Sequence, residues 1–265
     1  MSLSVYIKLA VASIKSRMEY KASFIVFLLT VITFYSAQIV TIGVIINRFK
    51  TIGGWNIGDM AFLYSLLILS QSNVTFLFSG LLDFSNHVRE GTYDRFLIRP
   101  VSTLGQILMG GFELSGFAHV AMGIITFLFA NSLTNIHWNF LNIFIFILVI
   151  LGGSMILASI RIIIAAIAFY SINNQALVHL FVFSSREFLL YPINIYRSEL
   201  KFILTFLIPL GFINFYPAHY FLDKTGEGLF HPYIIFGTFP VGFVLMVVAL
   251  LFWKNGQKDY ESAGA

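Results

Sequence analysis

Five long apolar runs dominate this sequence and limit what the chain can fold into. They cover residues 22–46, 60–83, 105–130, 139–170 and 232–253, and a less uniform apolar region covers residues 174–222. A helix that crosses a bilayer needs about 20 mostly apolar residues, so each run is long enough to be a membrane span. Residues 140–151 do not alternate between apolar and polar side chains, as strands of a membrane barrel would. The sequence therefore predicts an all-α integral membrane protein.

The scarcity of charge excludes a soluble protein. Hydrophobic residues make up 58% of the 265 residues and charged residues only 11%, whereas a typical soluble domain has about 25% charged residues. A soluble enzyme, a disordered tail and a nucleic-acid-binding module are excluded, and we expect no nucleic-acid partner. The chain has no cysteine, which excludes disulfides, thiolate metal sites and cysteine nucleophiles.

The positions of lysine and arginine predict how the chain lies in the membrane. Basic residues precede the first span, follow the second and follow the last; they are Lys8, Lys15, Arg17, Lys21, Arg89, Arg95, Arg99, Lys254 and Lys258. The loop 131–138 has none, and Arg48 and Lys50 are the exception to the pattern. The positive-inside rule places the N-terminus, residues 85–104 and the C-terminus in the cytosol. Residues 1–21 read as an amphipathic interfacial helix, before a core at 22–253 and a tail at 254–265 in a single domain.

Two cytosolic ends require an even number of spans, which leaves two interpretations of residues 174–222. In the first, 174–195 is the fifth of six spans, and 200–222 is a re-entrant hairpin that enters the outer leaflet. Pro209 and Pro217 interrupt backbone hydrogen bonding there, which suits a re-entrant element. In the second, 174–195 is a cytosolic amphipathic helix and 200–222 is the span.

A few ionisable and polar side chains lie inside the predicted spans. Glu113 and Arg161 each lie about 12–15 Å from the cytosolic surface at 1.5 Å per residue, in consecutive antiparallel spans. We predict a buried ion pair that braces these two spans, with a role in the transport path as the alternative. Gln38, Gln71 and Asn73 either join helices by hydrogen bonds or line a pathway.

No catalytic or metal-binding pattern is visible. His119, His179, His219 and His231 do not have metal-ligand spacing, and no convergent acid, base and nucleophile set is present. The chain also lacks a Gly-x-x-x-x-Gly-Lys-Ser/Thr phosphate loop, so we expect that it does not hydrolyse ATP and binds no cofactor. No internal repeat of the kind found in secondary transporters is visible. A secondary transporter or a membrane-embedded partner protein without transport activity is the alternative to the function implied below.

Three segments carry a resemblance to a known family. The stretch REGTYDRFLIRPVSTLGQIL resembles the first cytosolic loop of ABC-2 type exporter permeases, in which a Glu-Gly pair precedes a short coupling helix and a proline follows it. The stretch YPINIYRSELKFILTFLIPLGFINFYPAHYFL resembles one bacterial branch, formerly catalogued as a domain of unknown function; the charged pair Arg186-Glu187 ahead of it departs from the pattern. The ending FWKNGQKDYESAGA matches the same branch at Trp253, Gly256, Tyr260, Glu261, Ser262 and Gly264.

The resemblance implies a mechanism and a set of partners. Such permeases are membrane subunits that pair with a second permease, for which a paralogue is favoured over an identical copy, and sit on two ATPase subunits that bind ATP and Mg. The resemblance implies export of a drug, antimicrobial peptide or lipid-like compound across a bacterial plasma membrane. The implied ATPase contact is the coupling segment, which consists of Arg89, Glu90, Gly91, Thr92, Tyr93, Asp94, Arg95, Phe96, Arg99 and Pro100.

Overall fold

The computed structural model describes residues 3–19, 21–171, 174–224 and 232–260. Apart from one isolated bridge between Ile52 and Trp55, the described residues contain no β-structure. The predicted all-α class is confirmed. By length and composition, five described helices can cross a membrane, or up to six spans result if a bent helix pair at 198–221 counts as one.

The helices follow one another with short connections. The first eight are α1 Leu3–Glu19, α2 Lys21–Phe49, α3 Ile57–Phe78, α4 Phe84–Arg89, α5 Asp94–Leu97, α6 Thr103–Gly110, α7 Gly116–Leu133 and α8 Phe140–Ile167. The next segment is continuous but changes its winding, with α9 Gln175–Val178, a π-helical stretch His179–Ser184 and α10 Ser185–Phe188. The last are α11 Ser198–Phe202, which continues as π-helix to Leu207, α12 Phe215–Phe221 and α13 Thr238–Lys258.

Helix α3 is the centre of the bundle. It is buried along most of its length and packs against α7 and α8, while α8 packs against α13. The start of α3 is fixed by a capping box, in which Asp59 N donates to Asn56 Oδ1 at 3.1 Å and Asn56 N donates to Asp59 Oδ2 at 2.9 Å. These bonds satisfy backbone donors that a helix start leaves unpaired. Because α7 and α8 both pack against α3, the position of α3 determines where the polar side chains of these two helices lie.

The bundle has two ends, which we call the 50s end (containing residues 50–56) and the 90s end (containing residues 90–100). The turn after α7 lies at the 50s end, because a Cβ on Gly58 would be 2.9 Å from Leu133 Cβ. The end of α13 lies at the 90s end, where Thr103 Oγ1 donates to Gln257 Oε1 at 3.1 Å.

The segment 175–188 runs between the two ends. Gln175 Nε2 donates to Ser85 Oγ at 3.2 Å near the 90s end. A few residues beyond the segment, Asn194 Nδ2 donates to the Gly53 carbonyl at 2.8 Å at the 50s end. The segment therefore traverses the bundle, although its helix ends at Phe188 and not at the predicted residue 195.

The bent pair at 198–221 starts and ends at the 50s end. The two halves are bent by 75°, and just after them Lys224 Nζ donates to the Gly54 carbonyl at 3.1 Å and forms a salt bridge with Asp59 at 3.2 Å. The bend reaches the middle of the bundle, because a Cβ on Gly153 would be 3.4 Å from Ile213 Cγ2. Both ends of the bent pair therefore lie at the same end of the bundle, as a re-entrant hairpin would require.

The third predicted span, residues 105–130, is not one continuous helix. Helix α6 ends at Gly110 and α7 begins at Gly116. A Cβ on Gly111 would be 2.3 Å from Gly80 Cα, so the chain passes the end of α3 at a distance that only two glycines permit. The break removes Glu113 from a continuous helix.

Candidate functional site

The coupling segment projects charged side chains from the 90s end. Arg89, Glu90, Arg95 and Arg99 are exposed. Arg89 and Glu90 approach to 4.0 Å with side chains 56% and 59% exposed, a separation and exposure at which an ion pair contributes little to stability. Gly91 has φ +66°, a left-handed conformation that allows the chain to turn sharply between α4 and α5. These charges are therefore available to a partner.

A cluster of aromatic rings lies behind the coupling segment, and we call it the aromatic anchor: Phe84, Tyr93, Phe169, Trp253 and Tyr260. The Tyr93 ring lies 5.3 Å from Phe84, 5.3 Å from Phe169 and 4.9 Å from Tyr260, measured between centroids. Trp253 lies 4.8 Å from Phe84. Edge-to-face pairs of this kind add to the stabilisation that burial gives. Burial also raises the pKa of Tyr93 to about 12, so the side chain is neutral at physiological pH.

The aromatic anchor joins the coupling segment to several long helices. Phe84 follows α3, Phe169 follows α8, and Trp253 lies in the last turns of α13. Hydrogen bonds reinforce this connection, since Tyr260 Oη donates to Asp94 Oδ1 at 3.1 Å and Gln106 Nε2 donates to the Phe96 carbonyl at 2.9 Å. The aromatic anchor and these hydrogen bonds thus connect α5 with residues at or just beyond the ends of three long helices.

Helix α1 lies beside the same surface. The Ser102 amide donates to Tyr6 Oη at 3.3 Å, and Ser13 Oγ donates to the Gly110 carbonyl at 2.9 Å. A Cβ on Gly105 would be 2.6 Å from the Tyr6 ring. Helix α1 is thus fastened along α6, next to the coupling segment.

A cavity of about 780 Å³ extends from the 90s end into the bundle. We call it the polar cleft. It lies between α2, α3, the α6–α7 turn, α8 and the segment 175–186. Polar side chains line much of it, from Asp83, His87 and Gln106 near the 90s end to Gln71, Glu113, Ser115, His119, Arg161 and Arg186 further in.

Glu113 and Arg161 both line the polar cleft, but they do not form the predicted pair. Arg161 is 7% exposed, and its Nη1 donates to the Val74 carbonyl at 3.5 Å. Glu113 lies in the α6–α7 turn, where its amide donates to the Phe76 carbonyl at 3.1 Å. Within the described part of the chain no salt bridge joins the two side chains. The predicted depth of Glu113 assumed an unbroken third span, and the break at 111–115 moves its side chain away from that position.

The three predicted polar residues have different surroundings. Asn73 Nδ2 donates to Ser154 Oγ at 3.0 Å and so joins α3 to α8. Gln71 lines the polar cleft and donates to Thr75 Oγ1 at 3.3 Å. Gln38 accepts a hydrogen bond from Tyr64 Oη and lines a second cavity of about 310 Å³. The contacts favour helix packing for Asn73 and a cavity-lining position for the two glutamines.

Sequence reasoning did not select Arg186 as a site residue. Its side chain lines both cavities, and its Nη2 donates to Tyr35 Oη at 3.1 Å. The Tyr35 ring lies 5.2 Å from the His119 ring. The departure of Arg186-Glu187 from the family's pattern was the signal that could have identified it.

Metal ligation is not a feature of the described residues, among which no group of three or more His, Asp or Glu side chains could hold an ion. His231 lies outside the described residues, as do Glu261, Ser262 and Gly264 of the predicted ending.

Comparison with known families agrees with the geometry. A family model described as "ABC-2 family transporter protein" matches residues 32–264, which include the coupling segment, the bent pair at 198–221 and every residue that lines the polar cleft except Phe27. The chain belongs to the ABC-2 transporter family. An ABC-2 permease is a transmembrane subunit and is not itself the ATPase; the family generally works with ABC ATPase partners. No curated protein matches the chain.

Proposed function

We propose that this ABC-2 permease is the membrane-spanning subunit of an ATP-driven exporter that moves a hydrophobic or amphipathic compound, such as a drug, an antimicrobial peptide or a lipid-like molecule, out of the cell. A separate ATPase supplies the energy. The observation that carries the proposal is the coupling segment, which exposes Arg89, Glu90 and Arg95 and packs Tyr93 against the aromatic anchor. A surface charge cluster joined rigidly to three long helices suits the transmission of force.

The charge distribution supports an orientation with the 90s end in the cytosol. Arg89, Arg95 and Arg99 lie at this end, as do α1, with Lys8 and Lys15, and the end of α13, with Lys258. Both termini are then cytosolic, and the hairpin at 198–221 enters from outside a bacterial plasma membrane. Within one domain, residues 1–21 form the connector helix, 22–253 the core and 254–265 the tail.

In the proposed mechanism, two ATPase subunits bind ATP and Mg beneath a pair of permeases, which are either identical or, as we favour, paralogous. When the ATPases close, they press on the exposed edge of the coupling segment. The aromatic anchor passes this movement to the ends of α3, α8 and α13. The polar cleft, which reaches the 90s end, receives the substrate from the cytosolic side and changes its access when these helix ends move.

The test is co-purification with a candidate ABC ATPase from the same genome, followed by an ATPase assay. We expect Glu90→Lys combined with Arg95→Glu to reduce both complex formation and turnover at least tenfold, because both side chains are exposed. Asp94 is less suitable because it accepts a hydrogen bond from Tyr260.

The matched control is Arg197→Glu, a charge reversal of an exposed side chain at the 50s end. It should leave the complex and its turnover unchanged. If the coupling-segment variant is monodisperse and still forms an active complex at wild-type levels, the coupling assignment is wrong.

A further inference from the structure

The inner part of the polar cleft contains two guanidinium groups that have no acidic partner among the described residues. Arg161 is 7% exposed, and its hydrogen bond to the Val74 carbonyl is long at 3.5 Å. Arg186 is half-buried and donates to the neutral Tyr35 hydroxyl. Within the described residues neither arginine forms a salt bridge. Charges at this depth normally meet a partner or an aqueous cavity, because an unpaired buried charge is costly.

The other ionisable groups of the polar cleft do not neutralise these arginines directly. Asp83 is exposed at the 90s end. Glu113 lies beside Phe76, about 3 Å nearer the 90s end than Val74 at 1.5 Å per helical residue. His87 lies near the opening, where its ring nitrogen is bonded to Thr92 Oγ1 at 3.0 Å. His119 Nδ1 is bonded to the Ser115 carbonyl at 2.9 Å.

A buried hydroxyl adds to the unused hydrogen-bonding capacity of the polar cleft. Ser115 is fully buried and lines the polar cleft, and its Oγ has no hydrogen-bond partner among the described residues. A buried polar atom without a partner is uncommon and points to a missing ligand or water. A hydroxyl donor that lines the same cleft as two guanidinium groups completes a donor set suited to an anion, since Arg makes bidentate bonds to phosphate and carboxylate.

The polar cleft is bordered on one side by apolar side chains. Phe27 of α2 and Phe183 of the segment 175–188 both line it, and each is 46% exposed. Both side chains belong to membrane-traversing elements. An amphiphile can therefore place its headgroup in the cleft while its chain stays between α2 and the segment 175–188, in contact with the bilayer.

We propose that the inner part of the polar cleft binds the anionic headgroup, phosphate or carboxylate, of an amphiphile whose acyl chain remains in the bilayer. Arg161 and Arg186 supply the charge, and Ser115 supplies a neutral donor. The anion site names a substrate class for the proposed exporter. The statement that the bound amphiphile is transported rests on that proposed function. Binding itself requires no ATPase.

The test uses the full chain, purified without an ATPase, and measures lipid retention by native mass spectrometry. Dioleoyl phosphatidic acid is the anionic probe, and dioleoyl phosphatidylcholine has the same chains with a zwitterionic headgroup. We expect the wild-type chain to retain phosphatidic acid at least tenfold more tightly. Arg161→Gln should remove this preference, whereas Arg161→Lys should retain part of it. Arg48→Gln, an exposed arginine at the 50s end, should leave it unchanged.

Arg186→Gln provides a second variant if Arg161→Gln is not monodisperse, and it should weaken phosphatidic acid binding at least fivefold. Equal retention of both lipids by the wild-type chain would overturn the proposal, as would an unchanged preference in both glutamine variants. Glycerol 3-phosphate distinguishes the source of the headgroup. If glycerol 3-phosphate competes only weakly with phosphatidic acid, entry of the headgroup from the bilayer is supported. If glycerol 3-phosphate displaces phosphatidic acid at equal concentration, the site binds a soluble anion and the proposal is wrong.

This outcome is separable from the exporter assignment. If the chain binds phosphatidic acid but forms no complex with an ATPase, the anion site is supported and the proposed exporter function is wrong. If the chain stimulates ATPase turnover but shows no lipid preference, only the proposal of the anion site is wrong.

Discussion

At the scale of single residues, the charged side chains of the candidate site divide into those exposed at the 90s end and those that line the polar cleft. The charges of Arg89, Glu90 and Arg95 are exposed at a bundle end, as their position between apolar runs implies. Arg161 is buried, as its place in a long apolar run implies. The partners of buried polar groups were not predictable, because a break of a few residues between α6 and α7 decides where Glu113 lies.

The first prediction concerns Glu113 and Arg161. Because the described structure forms no salt bridge between them, the effects of Glu113→Ala and Arg161→Ala on the free energy of unfolding should add within about 0.5 kcal/mol in the double variant. Reversible unfolding of the purified chain in detergent measures this. A double variant that is clearly less destabilised than the sum would show that the two charges interact after all.

Among the helices, the long apolar ones were predictable because a bilayer imposes a minimum length on each span. The course of two irregular elements was less predictable. Residues 175–188 traverse the bundle with a π-helical stretch in the middle, and residues 198–221 bend by 75°. Both elements contact α8, and composition alone does not specify where their winding changes.

The second prediction concerns the crossing of α8 and α13. A Cβ on Gly242 would be 2.5 Å from the Gly152 carbonyl oxygen, so Gly242→Ala must separate the two helices. We expect a loss of about 1–3 kcal/mol in the free energy of unfolding, as for other overpacked sites. A fall in the midpoint of thermal unfolding measures this loss.

Gly110→Ala is the matched control, because nothing lies within 4 Å of its added Cβ. The control should keep or raise the midpoint, since alanine favours the helix by about 0.5–1 kcal/mol over glycine. Equal midpoints for both variants would show that α8 and α13 do not cross at these glycines.

For the molecule as a whole, the arrangement of the two ends is the property that function depends on. The coupling segment, α1 and the end of α13 gather at the 90s end. The hairpin closes the 50s end through the salt bridge between Lys224 and Asp59. The polar cleft extends into the bundle from the same end as the coupling segment.

The third prediction tests this topology with single cysteines, which the cysteine-free chain makes unambiguous. Arg197→Cys and Asp223→Cys flank the hairpin, and both positions are exposed. In intact cells, a membrane-impermeant maleimide should label both of these variants and should label Ile98→Cys only after the membrane is permeabilised. Labelling of positions 197 and 223 from opposite sides would mean that 198–221 is a span.

Length, hydropathy and the order of basic residues were enough to predict a helical membrane protein. Short motifs such as REGTYDRFLIRP carried the family resemblance, and the resemblance in turn implied the coupling segment. Each of these depends on patterns within one stretch of chain. The aromatic anchor and the apolar border of the polar cleft depend on residues far apart in sequence, such as Tyr93 and Trp253 or Phe27 and Phe183. Helix packing brings these residues together, and no local pattern specifies which faces of the helices meet.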